Sequence, residues 1–208
     1  MAITNYGELK SAVGDFLNRS DLTSVIPTFI DFAEAEFNRV LRIRQMIARA
    51  EAVIDSRFSA VPADFLEAKD LAIVTGNPVT PLQFITQQET AQLRNTTITS
   101  AGKPTFFTVV GDQFEYLPTP DGEYSLEMTY YANITPLASD SDTNWLLTDY
   151  PDLYLYTSLM HSAPYLKDDE RIGIWANLAK KAKEELVESD FSASYAGSTP
   201  RIRVRSFG

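Results

Sequence analysis

Apolar positions recur at helical spacing at both ends of the chain and alternate at strand spacing in the middle. Near the N-terminus Thr4 is placed to cap a first helix, on which Tyr6, Leu9, Val13, Phe16 and Leu17 form one apolar stripe. Asn18-Arg19-Ser20-Asp21 breaks it. A second helix starts near Pro27 and sets Ile26, Ile30, Ala33, Phe37, Val40 and Leu41 on one face. Arg39, Arg42 and Arg44 gather at its C-terminal end, where cations suit the helix dipole. The longest helical pattern runs from Asn144 to Val187 and predicts two consecutive amphipathic helices. Pro151 occupies a first-turn position, where its missing N–H costs nothing. Leu153, Tyr156, Met160 and Ala163 then make a stripe, and Pro164 ends or kinks that helix by removing a ladder bond. Asp168-Asp169-Glu170 supplies a cap and first-turn acids for the next helix. That helix carries Ile172, Trp175, Leu178, Ala179, Ala182 and Leu186 on one face, with Lys180, Lys181, Lys183, Glu184 and Glu185 mostly on the other.

Between these helices the period changes. Met46 to Ile54 has apolar residues at every even position and predicts a strand. Asp55 to Asp64 reads as a turn region, Leu66 to Val74 as a strand closed by Thr75-Gly76-Asn77-Pro78, and Pro81 to Ile85 as a short edge strand. Thr86-Gln87-Gln88-Glu89 is a capping box opening a short helix to Leu93. Asn95 to Lys103 is polar and predicts an exposed loop. Thr105 to Val110, Gln113 to Leu117 and Tyr124 to Ile134 predict a three-stranded meander, with Gly111-Asp112 and Pro118-Thr119-Pro120-Asp121-Gly122 as its turns. Leu126, Met128, Tyr130 and Ala132 share one side of its last strand. Strands cluster and helices cluster, so the fold class is α+β. The expected architecture is a helical bundle formed by N- and C-terminal helices, with a β-rich central insertion and an extended C-terminal tail. The segments are residues 1–45, 46–143, 144–194 and 195–208.

Composition narrows the function more by exclusion than by suggestion. Of 208 residues 44% are apolar and 22% charged, as in an ordinary globular protein. No run approaches the ~20 apolar residues that a membrane span requires. Met1-Ala2-Ile3-Thr4-Asn5 lacks a basic stretch followed by an apolar one, so no signal peptide is expected. Cysteine is absent, which removes disulfides, thiolate metal sites and cysteine nucleophiles together. A net charge of −10 argues against a DNA- or RNA-binding surface, which needs cations for the phosphates. The charge is also uneven: no acid follows Asp190, and Arg201, Arg203 and Arg205 fall within five residues.

Candidate chemistry is sparse. His161, the single histidine, has no accompanying serine or cysteine nucleophile motif and reads as structural or surface. Asp168-Asp169-Glu170 could ligate a metal, yet helix capping accounts for adjacent acids at that place. Asp112 and Asp121 lie in turns where aspartate is ordinary. The glycines form no nucleotide-binding pattern. No catalytic residue, cofactor or metal is expected. Tyr124, Tyr130, Tyr131, Tyr150, Tyr154, Tyr156 and Tyr165 predict packing between the meander and the C-terminal helices, or in part a subunit interface.

The tail offers a positive signal. After the flexible lead Gly197-Ser198-Thr199-Pro200, an extended chain would turn Arg201, Arg203 and Arg205 one way and Ile202 and Val204 the other. Such a strand can join a neighbouring sheet edge; a solvated terminus is the alternative. Arg201, Ile202, Arg203, Val204, Arg205 and Phe207 are therefore the expected partner-binding residues.

The sequence order itself carries a resemblance. A helical N-terminus with Asn18-Arg19-Ser20-Asp21-Leu22 leads into a β-rich part. Asn144-Trp145-Leu146-Leu147 and Tyr150-Pro151-Asp152-Leu153-Tyr154-Leu155-Tyr156 follow. The whole resembles the head-to-tail adaptor (connector) proteins of tailed bacteriophages. The resemblance implies a non-enzymatic homo-oligomer, commonly a dodecameric ring, beneath the portal protein and in contact with tail or nozzle proteins. It implies a C-terminal segment docked on portal or on an adjacent subunit. It also implies a place in the virion neck, assembled in the host cytoplasm, with no membrane. DNA would pass through without specific binding, and an acidic body suits that passage. Two other readings stay open: a neck or tail-completion protein without direct portal contact, and a hydrolase acting during infection.

Overall fold

The computed structural model describes residues 2–76, 78–166 and 170–195. The chain is α+β, with helices at both termini and a β-rich middle. It divides into a helical unit, holding residues up to Gln45 and from Ile134 onward, and an inserted unit, Met46–Asn133. The division falls after Asn133 rather than after Thr143 because the segment that follows is tied to helices. Ile134 N–H donates to Asn38 Oδ1 at 2.9 Å, and Leu137 N–H donates to Glu34 Oε1 at 3.1 Å.

Helix α1 (Tyr6–Leu17) is capped by Asn5 rather than Thr4: Asn5 Oδ1 accepts the Glu8 N–H at 2.9 Å. Thr4 serves the same end differently, donating its N–H and its hydroxyl to the Glu8 carboxylate at 2.7 Å each, which holds that acid below its ordinary range. The first N–H groups of the helix find carbonyls on the returning chain, Tyr6 to Asp142 at 2.9 Å and Gly7 to Asp140 at 3.0 Å. Gly7 permits this approach, since a Cβ there would meet Asp140 at 3.3 Å. The helix stops at Asn18 in the left-handed conformation, φ 52°. Its buried face is Tyr6, Leu9, Ala12, Val13 and Leu17; Phe16, expected inside, is 47% exposed. Helix α2 (Ile26–Val40) buries Ile26, Phe29, Ile30, Ala33 and Phe37. Val40 departs from its expected stripe at 53% exposure, and Glu34 is buried among the apolar residues instead.

The inserted unit runs β1 (Ile47–Ile54), β2 (Phe58–Ala60), β3 (Phe65–Ile73), β4 (Thr80–Pro81), β5 (Gln83–Phe84), α3 (Gln87–Thr96), β6 (Phe106–Val110), β7 (Gln113–Leu117) and β8 (Tyr124–Ala132). These form two four-stranded sheets, ordered β1-β8-β3-β4 and β2-β7-β6-β5. Both contribute to one core of Ile54, Leu71, Ile73, Leu126, Met128 and Tyr130 from the first and Phe107, Phe114 and Tyr116 from the second. Three expectations change. The turn region 55–64 contains β2, which pairs with β7. The single edge strand at 81–85 is two, in different sheets, because Leu82 between them turns into the core. And β8 does not complete a meander with β7. A strand of its length finds a full partner in β1, from Ile47↔Tyr131 to Ile54↔Tyr124, and a second in β3. The shorter β7 could not pair all of it. The capping box of α3 forms as the sequence predicts, with Glu89 N–H donating to Thr86 Oγ1 at 3.2 Å and Thr86 N–H to Glu89 Oε2 at 2.9 Å.

Back in the helical unit, Asn144 caps a short helix, α4 (Trp145–Asp149), before Pro151 opens α5 (Pro151–His161). Helix α5 ends ahead of Pro164, which falls in a 3-10 turn, Ala163–Tyr165. The expected stripe of α5 does not describe it. Of Leu153, Tyr156, Met160 and Ala163 only Leu153 is fully buried, whereas Tyr154, Leu155, Thr157, Ser158 and Leu159 are inside. The reason is that α1, α2 and α6 (Arg171–Tyr195) all pack on α5, so no side of it is left for a polar face. Helix α6 buries Trp175, Ala179, Ala182 and Leu186 and faces water with the Lys180–Glu184 and Lys181–Glu185 pairs. It also runs past Val187 to Tyr195.

A buried polar chain joins these elements. Asn144 Oδ1 accepts Leu147 N–H at 2.9 Å, while its Nδ2 donates to Thr135 O and to Tyr154 Oη at 2.8 Å each. The Tyr154 hydroxyl donates in turn to Glu34 Oε1 at 3.2 Å. Burial raises the Tyr154 pKa, with the Glu34 charge adding to it. Burial likewise pushes Glu34 above its ordinary value, helped by the charge of Asp31 and opposed by the bonds from Leu137 and Tyr154.

The folded state thus holds the Glu34 proton more tightly than the unfolded chain does. Its contribution to stability is full below the ordinary glutamate value of 4.5 and is lost as pH rises through the raised value. Glu34→Gln keeps the acceptor and removes the charge. It is expected to melt progressively higher than the wild type as pH climbs past 4.5, with little difference below it; melts across the acid-to-neutral range check this. In the inserted unit, Phe114 packs edge-on to Phe65 at 5.3 Å and Phe107 at 6.1 Å. Phe114→Ala should cost about 3–5 kcal/mol in urea denaturation, with the slope unchanged.

Candidate interaction surface

The residues that chemistry might have used are engaged elsewhere. His161 closes α5, and its Nε2 lies 3.1 Å from Glu36 Oε2, whose partner oxygen is 3.4 Å from Lys183 Nζ. This joins α2, α5 and α6 at their surface. Asp121 accepts the Tyr124 hydroxyl at 2.6 Å, and Asp112 is an exposed turn residue whose carbonyl accepts Val61 N–H at 3.1 Å. Glu170 is exposed, while Asp168 and Asp169 lie outside the described residues. Among the described residues no group of three or more His, Asp or Glu side chains is placed to hold a metal. No helix there is long and apolar enough to cross a membrane.

A charged cluster in the inserted unit was invisible in the sequence. Glu115 is buried on β7, and its Oε1 accepts Arg57 Nη2 at 2.7 Å and Arg94 Nη2 at 2.9 Å. Arg94 also donates to Thr119 Oγ1 at 3.1 Å and Tyr116 O at 3.3 Å, fastening α3 to β7. A buried carboxylate with two guanidinium partners is compensated, and losing either partner would leave charge in the interior. Beside it, burial pushes the Tyr116 pKa up to about 12, the Ser59 hydroxyl at 2.7 Å pulling the other way.

Several large apolar side chains stay exposed. The tyrosines divide between units: Tyr130 enters the core of the inserted unit and Tyr154 that of the helical unit. Tyr165, after α5, stays 50% exposed, its ring edge-on to Phe29 at 5.2 Å. Phe32 on α2 is 52% exposed and stands edge-on to His161 at 5.9 Å. The half-exposed Phe32 ring beside the Glu36–His161–Lys183 cluster has the composition of an interface: an aromatic group with charged neighbours. Periodicity could not find Phe32, because it lies off the buried stripe of its helix. The sequence-predicted partner residues Arg201, Ile202, Arg203, Val204, Arg205 and Phe207 lie outside the described residues.

The family model described as the SU10 adaptor protein matches residues 4–204, nearly the whole chain. The chain belongs to this family of structural phage head-to-tail adaptor proteins. No curated protein matches the sequence.

If the Phe32 ring belongs to an interface, the fold does not need it. Phe32→Ser is expected to change unfolding stability by no more than about 0.5 kcal/mol while reducing the associated species seen in sedimentation. A loss of the size of a core substitution would make the ring structural instead.

Proposed function

We propose that this adaptor forms a ring beneath the portal, joins the capsid to the tail and lines the path of the DNA. The observation that carries the reading is the family match over residues 4–204. The helical unit with its β-rich insertion and the exposed Phe32 and Tyr165 rings support it, since a ring subunit must offer faces to its neighbours. The charge supports it too: at −10 net, the chain repels phosphate, so duplex can slide past without being held. The ring is a homo-oligomer, commonly a dodecamer in such assemblies, and its other neighbours are tail or nozzle proteins. The assembly is built in the host cytoplasm, and no chemistry is required of it. The C-terminal residues Arg201, Ile202, Arg203, Val204, Arg205 and Phe207 act as a docking strand, through alternating basic and apolar side chains.

Electron microscopy of the purified protein, alone and mixed with portal, tests this. Rings seated on portal are expected, and their number should fall when residues 196–208 are removed. A monomer indifferent to portal would overturn the portal contact.

A further inference from the structure

We propose that the outer edge of β1 pairs with the same strand of a second copy of this chain, antiparallel, about a two-fold axis at Ala50. Strand β1 ends its sheet. On one side β8 pairs with all eight of its residues, from Ile47↔Tyr131 to Ile54↔Tyr124, without a register shift. Among the described residues no strand pairs with its other side, and no loop backbone bonds to it. Alternate residues of such an edge present N–H and C=O groups outward, ready for a further strand. The devices that usually blunt an edge are missing from β1, which contains no proline, no lysine and no bulge. It carries instead one cation and one anion, Arg49 and Glu51, two residues apart.

These charges select both the partner and the register. Ala48, Ala50 and Ile54 turn to the core of the inserted unit, while Arg49, Glu51 and Val53 are exposed on the other face. Within the sheet Glu51 stands directly opposite Glu127, a like-charge pair. Arg49 serves both acids, its Nη2 donating to Glu51 Oε1 at 2.8 Å and to Glu127 Oε2 at 3.0 Å. An antiparallel copy centred on Ala50 sets each Arg49 directly opposite the other copy's Glu51. Every Glu51 thereby gains a second cation, on the side away from Glu127. Ile47 then faces Val53 on the charged face, and Ala48 faces Ala52 on the core side, where only small side chains meet. A shift of two residues would oppose Arg49 to Arg49 or Glu51 to Glu51. A shift of one would turn one copy's charged face to the other's core side. The strand is complementary to itself in one register. Such a two-fold pair closes on itself, so it differs from the contact that repeats between ring neighbours. It is a form of the free subunit and rests on neither the ring nor the portal contact.

Because the chain has no cysteine, the register can be read without background. In the pair, Ile47 of one copy faces Val53 of the other. Ile47 and Val53 of one chain, or the two Val53 residues of a pair, lie about 20 Å apart along the strands, beyond the ~7 Å between Cα atoms that a disulfide spans. Full-length protein carrying Ile47→Cys and Val53→Cys together is expected to give a disulfide-linked dimer on oxidation, and each single variant little of it. No linked dimer from the double variant, or an equal yield from a single one, overturns the pairing. Sedimentation over a concentration series supplies an independent arm. Arg49→Glu or Glu51→Arg alone opposes like charges at both symmetry-related contacts and is expected to weaken the dimer about tenfold, whereas the two together restore opposite signs and bring it back to within about threefold. Wild-type protein with no dimer step, or a charge-swapped double variant as weak as the single ones, overturns the proposal.

Discussion

The helical unit depends on one buried polar chain, from Asn144 through Tyr154 to Glu34. Its members come from the segment before α4, from α5 and from α2, and the Glu34 carboxylate also takes Leu137 N–H from the returning chain. Apolar packing alone would tolerate several rotations of α5, because helices surround it and nearly any face would be buried. Hydrogen bonds between fixed atoms tolerate far fewer. An unmatched donor or acceptor at this depth costs about 1–3 kcal/mol, so a rotated or slipped helix is penalised at each link. The chain of bonds therefore specifies an arrangement that the apolar contacts stabilise but do not define. The pinned Leu137 also fixes where the polypeptide re-enters after the insertion.

The inserted unit solves the matching problem at its own ends. Its entering strand β1 and its leaving strand β8 pair along their length, so both junctions sit side by side at Ile47 and Tyr131. The insertion thereby closes its own core and asks little of the helices except a place to attach. Its charged fastening follows the same logic: Arg57 and Arg94 converge on buried Glu115 from separate segments, holding β2, α3 and β7 together. Buried ion pairs add little net stability over apolar replacements, but they penalise misplacement severely.

Much of this was legible in the sequence wherever a local signal decided the outcome. The Thr86–Glu89 capping box, Pro151 at a helix start, Pro164 past a helix end and the inward side of β8 needed only neighbouring residues. Apart from the cap of α1, where Asn5 and not Thr4 accepts the Glu8 N–H, most misreadings involve partners distant in sequence. Phe16 and Val40 continue an ideal stripe yet stay exposed, while the residues next to them, Leu17 and Leu41, turn into the core. The α5 stripe fails because three helices share that element, which no single-face pattern encodes. The expected meander fails because β1, dozens of residues earlier, offers β8 a longer partner than β7 does. Glu34 and Glu115 look like surface acids until Tyr154 or the two arginines are brought to them. For function the balance reverses. The alternating tail was visible in the sequence alone, whereas the exposed Phe32 ring was not, since it lies off the buried stripe of its helix.

These two kinds of surface would behave differently in an assembly. Exposed aromatic rings such as Phe32 and Tyr165 would associate by removing aromatic area from water, a contribution that salt does not screen. Charged contacts at the surface, such as Lys183 with Glu36, are weakened by salt over a distance of about 8–10 Å. A body that is acidic overall repels other copies of itself, so close association must be driven by apolar contact and by local charges of opposite sign. Three of the eleven arginines follow Asp190, in a stretch of sequence without an acid. On the proposed path for DNA, the excess of acids would let the duplex slide past rather than bind.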